Sequence, residues 1–293
     1  MGLREEARAK VNLTLRVLGR RVDGYHDLAS LVVFADCADQ LALEAGPELA
    51  LTVNGPRASD CGSTADNLVF KAAGLLAERV PGLQFGRFIL EKRLPVAAGI
   101  GGGSADAAAA LRLLARLNDL ALDDPRIAEA ARLTGADVPV CVASQSAVMT
   151  GIGEQLSAVR LPRLPCVMVN PRVPVETAEV FAALGLRKGE ILTDVTDVVL
   201  SRRWPTEDAS TEDWLRALQE AANDLEAPAI SIQPLIGDVL SALRGSAGVR
   251  LARMSGSGAT CFGLFDTDDE ARRAAEALQA DHPQWWVHAG ALG

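Results

Sequence analysis

The chain has 293 residues, 49% apolar and 23% charged, enough for two domains at roughly 100–200 residues each, with sizeable cores. Its formal net charge of −9 argues against a nucleic-acid or anionic-membrane partner, since either needs a basic face to neutralise phosphates. It leaves room for a phosphorylated small ligand, which needs only a few local donors. No stretch approaches the ~20 apolar residues of a membrane span, and residues 1–10 are too charged for a secretory signal. The five cysteines (Cys37, Cys61, Cys141, Cys166, Cys261) form no C-x-x-C pair. They read as reduced thiols of a cytoplasmic protein. His26, His282 and His288 have no H-E-x-x-H spacing, which removes the zinc hydrolases.

In chain order, the spacing predicts a strand over 11–18, with Val11, Leu13, Leu15 and Val17 on one side, and a turn over 19–24. Further strands are expected over 28–34, 40–45 and 49–54, a helix over 66–79 and a strand over 85–92. A Gly-rich loop, 97–104, opens onto an Ala/Leu helix over 105–118. A helix over 125–133 then runs into Thr134-Gly135-Ala136-Asp137. After residue 157 the texture changes. A short strand is expected over 167–170, helices over 176–184, 212–222, 232–243 and 270–278, and a loop over 200–211. Short strands flank Ser255-Gly256-Ser257-Gly258 at 252–254 and 260–264, and a last strand covers 286–289. The pattern is α+β rather than a βαβ repeat, with domains 1–157 and 158–293.

The loop Pro95-Val96-Ala97-Ala98-Gly99-Ile100-Gly101-Gly102-Gly103-Ser104 is the strongest chemical signal. Glycines let backbone approach an anion, and the helix that follows presents free N–H groups and a positive dipole end. It is neither Walker A nor G-x-G-x-x-G; the plain alternative is a tight strand-to-helix turn. Gly102 is the position where a side chain is expected to clash with a close phosphate and to meet a positive φ. Only four of the 29 basic side chains are lysines: Lys10, Lys71, Lys92 and Lys188. Lys10 therefore reads either as a wanted point charge or as a solvated strand-end cation. Asp137 reads equally as a turn cap or a catalytic carboxylate. Tyr25, the single tyrosine, beside His26, reads as a core residue or as a ring-stacking pair. The turn 255–258 either binds an anion through its amides or only links two strands.

The order of Ala9–Leu13, Pro95–Ser104 and Met254–Ala259 resembles the GHMP kinases over essentially the whole chain. Within them, five stretches resemble the diphosphocytidyl-methylerythritol kinase branch. They are Ala9–Leu13, Gly24-Tyr25-His26-Asp27-Leu28, Asp66-Asn67-Leu68-Val69, Gly135-Ala136-Asp137-Val138-Pro139 and Asn223-Asp224-Leu225-Glu226. Val140 departs from that branch, where an aromatic usually follows Asp-Val-Pro; only a packing change is expected.

The resemblance implies an N-terminal domain like ribosomal-protein-S5 domain 2 and a ferredoxin-like C-terminal domain. It implies a cytoplasmic enzyme of the non-mevalonate isoprenoid pathway that uses ATP and Mg²⁺ on a small substrate carrying a cytidine diphosphate. Lys10 and Asp137 would be catalytic, with Asp137 taking the hydroxyl proton. Pro95, Ala97, Gly99, Gly101, Gly102, Gly103, Ser104 and Asn67 would bind ATP. Asn12, Tyr25, His26, Thr177 and Phe181 would bind the substrate, with Tyr25 and Phe181 on the two faces of a cytosine ring and His26 at its edge. No metal ligand and no protein partner is singled out. Competing expectations are a homoserine- or mevalonate-type kinase, against which Tyr25-His26 argues, and a nucleotide-binding homologue without turnover, against which Lys10 with Asp137 argues. A dinucleotide dehydrogenase would carry its glycines after the first strand, not after several.

Overall fold

A computed structural model of the chain describes residues 2–63, 66–192 and 203–293. It contains two compact units, each assembled from separated stretches: Met1–Lys10, Cys37–Val96 and Gly101–Ser144 in one, Val11–Asp36, Ala97–Ile100 and Gln145–Gly293 in the other. The units interleave along the chain because strands β1 (Leu3–Asn12) and β3 (His26–Gly46) each run from one into the other. Texture alone marks a single change, after residue 157.

In the first unit, the later half of β3 pairs antiparallel with β5 (Phe85–Glu91), from Gln40↔Glu91 to Gly46↔Phe85, and β4 (Ala50–Asn54) lies parallel to β5. β5 buries Gly86, Phe88 and Leu90 in strict alternation, the period of a half-buried strand. The helices α1 (Leu68–Ala77), α2 (Gly102–Leu117), α3 (Pro125–Thr134) and α4 (Val138–Ala143) belong to this unit. α1 is capped by the Asn67 side chain, which accepts from Val69 N–H at 2.9 Å. α3 is capped by Asp124, with Pro125 at its first position, where a missing N–H costs nothing. Every residue of α2 from Ala105 to Ala115 is buried, Asp106 and Arg112 included, as expected of a helix packed on all sides. Its one buried cation, Arg112, donates to Glu5 Oε2, Cys141 O and Glu6 O. Val140 is fully buried on α4.

In the second unit, the first half of β3 pairs with β2 (Arg16–Arg20) and with β6 (Ala147–Gly151), which forms a hairpin with β7 (Gln155–Ala158). β8 (Leu164–Asn170) is buried at every position and lies antiparallel between β10 (Cys261–Leu264) and β11 (Trp286–Leu292); β9 (Leu251–Met254) closes on β10. Helices α5 (Thr177–Ala182), α6 (Thr211–Gln219), α7 (Glu226–Ile232), α8 (Leu235–Gly245) and α9 (Asp268–Asp281) belong to this unit. Its core gathers Val167, Val169, Ile236, Leu240, Phe265 and Trp285.

The expected strand over 11–18 is two strands, β1 and β2, parted at 13–15. The strands expected over 28–34 and 40–45 are one 21-residue strand, β3. The aspartates of the joint between them are satisfied inside the fold. Asp36 accepts from Ala291 N–H at 2.9 Å and Asp39 from Arg93 and Leu94 N–H. Of the stretch 200–211, residues 200–202 lie outside the described residues. The helix expected over 232–243 is α8, and α7 before it was not anticipated. Among the described residues no helix is long and apolar enough to cross a membrane.

Candidate active site

In the first unit, β1 delivers Lys10 to the start of α4. Lys10 Nζ lies 2.9 Å from Asp137 Oδ2, with the lysine side chain 4% exposed and the aspartate 33%. Asp137 occupies the N-cap position of α4, yet its side chain makes no capping hydrogen bond. The turn-cap alternative therefore fails, and the carboxylate is committed to Lys10 while a third of it stays open. Gly101 stands beside this pair in the left-handed region, φ +62°, and a Cβ there would come within 3.1 Å of Lys10 Cε. Gly101 is also the N-cap of α2, and the first helical bond runs from Ala105 N–H to Gly101 O at 2.8 Å. The N–H groups of Gly102, Gly103 and Ser104 thus form the open first turn of a sixteen-residue helix, which favours an anion.

Gly102 differs from what its sequence context implies. It is helical without positive φ, and an added Cβ would meet the Lys92 ammonium at 3.3 Å. Pro95 is buried at the loop's entry and Asn67 is the α1 cap described above.

Beneath the loop lies a buried ionic trio that sequence reasoning missed. Lys92 Nζ is 2.5 Å from Asp39 Oδ2 and 2.7 Å from Asp106 Oδ2. Burial lifts the Asp106 carboxyl to about 7 against the pull of Lys92. Lys92, although burial opposes its charge, is held above the usual lysine range by Asp106 and Asp39. The available signal was the scarcity of lysine. Lys71 also has a fixed role, donating to Thr134 O at 2.9 Å.

In the second unit, the middle of the Gly-rich loop meets the late Gly/Ser turn. Ser255 Oγ donates to Gly99 O and accepts from Asn12 N–H, both at 3.0 Å. A Cβ on Gly99, φ +72°, would stand 2.5 Å from Gly258 O. Ala97 is exposed at φ +51°. Asn12 is buried and donates through Nδ2 to Ser30 Oγ at 2.7 Å. Thr177 and Ser257 share a hydroxyl hydrogen bond of 2.8 Å. The stretch 223–226 ties this region together. Asn223 Nδ2 donates to Met254 O and Gly256 O, Asp224 accepts from Val17 N–H, and Glu226 accepts from Met254 N–H. Arg253, buried, donates to Leu13 O, Leu218 O and Ala221 O.

Tyr25 is 61% exposed, so it is not a core residue. The His26 ring stacks on Phe181 with centroids 4.6 Å apart and planes at 24°. The structure therefore sets His26 against Phe181, rather than leaving that face open opposite Tyr25. Burial, then the charge of Arg20, holds His26 below its ordinary range, so its ring is neutral at pH 7. Its Nε2 is buried without a hydrogen-bond partner.

A lysine–carboxylate pair beside an amide-lined helix start is the equipment of a phosphoryl-transfer enzyme. Two family models match the chain and define its class: GHMP kinases N terminal domain over residues 67–145, and GHMP kinases C terminal over residues 207–284. Over 290 residues the chain is 65% identical to a 4-diphosphocytidyl-2-C-methyl-D-erythritol kinase of Rhodopseudomonas palustris (strain HaA2), covering 99% of this chain and 98% of that protein. It is 66% identical over 288 residues to a kinase of the same name from Bradyrhizobium diazoefficiens, with 98% and 97% covered. A crystal structure of 4-(cytidine 5'-diphospho)-2C-methyl-D-erythritol kinase superposes with a TM-score of 0.75 at 34% identity over 99% of each chain. Homoserine kinase from Cytophaga hutchinsonii, 18% identical with a TM-score of 0.72 over 99% and 94% of the two chains, shares the fold. The chain belongs to the 4-diphosphocytidyl-2-C-methyl-D-erythritol kinases, within the GHMP kinases. It is an α+β kinase of the two-domain GHMP fold.

Proposed function

We propose that the chain transfers the γ-phosphoryl group of ATP to the 2-hydroxyl of 4-diphosphocytidyl-2-C-methyl-D-erythritol, giving the 2-phosphate and ADP. The reaction belongs to the non-mevalonate route to isoprenoid precursors. The observation that carries this reading is the Lys10–Asp137 pair at 2.9 Å beside the Gly101 start of α2. The open face of Asp137 accepts the hydroxyl proton as the oxygen attacks the γ-phosphorus and the bond to the ADP oxygen breaks. Lys10 stabilises charge on the attacking oxygen. The amides of Gly101–Ser104 and the flanking Pro95, Ala97 and Gly99 hold the phosphates, and Asn67 borders the nucleotide. Asn12 and Thr177 orient the substrate's hydroxyls. Among the described residues no three His, Cys, Asp or Glu side chains are grouped to hold a metal ion. Mg²⁺ would be brought in on the ATP phosphates, where it would neutralise phosphate charge.

The cytosine ring stacks on exposed Tyr25. Phe181 takes the second face once His26 leaves it to read the ring's edge through its unpartnered Nε2. Losing a stacking aromatic costs ~1–3 kcal/mol per base. Tyr25→Ala is therefore expected to weaken substrate binding roughly 5- to 150-fold while ATP binding holds. Separate calorimetric titrations with each ligand, plus a thermal melt, check this. Equal loss for both ligands, or a substrate lacking cytidine bound just as well, would sink the cytidine clamp.

A further inference from the structure

We infer that Lys92, Asp39 and Asp106 are positioning residues that clamp the two ends of the Gly-rich loop together and so set the affinity for ATP. The inference rests on the reading that this loop holds the nucleotide's phosphates. Asp39 Oδ1 accepts from the N–H groups of Arg93 and Leu94, at 2.6 and 2.8 Å, and so fixes the strand leaving β5 just before Pro95. Asp106 lies in α2, just past the loop's exit, and its Oδ2 takes the second bond from Lys92 Nζ. One ammonium therefore bridges entry and exit. The fit is close: a Cβ on Gly102 would stand 3.3 Å from Lys92 Nζ, and 3.9 Å from both Asp39 Oδ2 and Pro95 O. Glycine at this position lets the first turn of α2 rest directly on the trio.

All three side chains are at most 4% exposed. Burying an ammonium with two carboxyl groups is a poor way to gain stability, because an apolar set of similar volume is often as stable or more so. What an ionic trio supplies is a defined position. Asp106 Oδ1 is buried with no hydrogen-bond partner, an unmet acceptor that mere packing would not favour. The trio touches the backbone where the loop begins and the helix that follows it, so its effect reaches ATP through loop geometry.

The test is steady-state kinetics and nucleotide titration on the full chain. Asp106→Asn preserves shape and one bond to Lys92 but removes a charge. It is expected to stay folded and to raise KM for ATP about tenfold, with kcat at saturating ATP and KM for the other substrate within about twofold. Asp39→Asn reads the same clamp from the loop's entry and serves if Asp106→Asn does not fold. Gly101→Val is the control for the loop itself. If it abolishes ATP binding while folded Asp106→Asn and Asp39→Asn keep a normal KM for ATP, the clamp is overturned and the loop reading stands. Unchanged ATP affinity in folded Gly101→Val overturns both. Parallel rises in KM for both substrates with a lowered melting temperature would assign the trio to stability alone and likewise overturn the clamp.

Discussion

Asp137→Asn is expected to lower kcat at least 10²-fold, the usual scale for a lost general base, while ATP and substrate affinities stay within about tenfold. The substitution is nearly isosteric. Asp137 makes no side-chain bond to the start of α4, so no helix cap is lost with the charge. Lys10 keeps an amide oxygen within reach in place of the carboxylate 2.9 Å away, which limits the cost of leaving a buried ammonium. The loss therefore falls on proton acceptance in the transition state and not on binding. Single-turnover rates, titrations with each ligand and a thermal melt separate these effects. A near-normal kcat in the folded variant would remove Asp137 from the chemistry.

Gly101→Val is expected to reduce ATP affinity at least 10²-fold in a chain that still folds. Two effects combine. A β-branched residue is strained at the observed φ of +62°, at about 1–2 kcal/mol. The new Cβ would also press on Lys10 Cε at 3.1 Å, forcing either the loop or Lys10 to shift. A shift of the loop moves the open N–H groups at the start of α2 away from the phosphates, and a shift of Lys10 breaks its pairing with Asp137. Gly102→Val should have the smaller effect. Its backbone is helical and its nearest neighbour is Lys92 Nζ at 3.3 Å, so the expected loss is the roughly tenfold change of a disturbed clamp. Circular dichroism beside an ATP titration measures both variants. Equal affinities for the wild type and a folded Gly101→Val would reduce the loop to a turn.

The Gly-rich loop and the helix after it were legible because their pattern is local. Four glycines and an alanine run mark a loop opening onto a helix, and the structure builds α2 on that spot. Which glycine matters was not legible. Positive φ depends on how the chain turns, and it falls on Gly99 and Gly101 rather than Gly102. The pairing of Lys10 with Asp137 and the trio of Lys92, Asp39 and Asp106 join residues far apart in the sequence. Nothing local marks such partners beyond the scarcity of lysine. Asp39 shows the difficulty best: it lies between two expected strands with no role assigned, whereas in the fold it is buried within β3 and accepts from the N–H groups of Arg93 and Leu94. The stack of His26 on Phe181 was hidden for a related reason, since a ring that faces a ligand and a ring that faces its neighbour share one sequence signature.

A coupled ADP-release assay tests the identity of the phosphoryl acceptor most directly. With ATP and Mg²⁺ present, 4-diphosphocytidyl-2-C-methyl-D-erythritol is expected to give saturable turnover. Its kcat/KM should exceed those for homoserine and mevalonate at least about 100-fold, because a site built around buried polar and stacking groups rejects acceptors that leave them unpaired. Comparable turnover with homoserine or mevalonate, or none with the cytidine-bearing alcohol, would contradict the account.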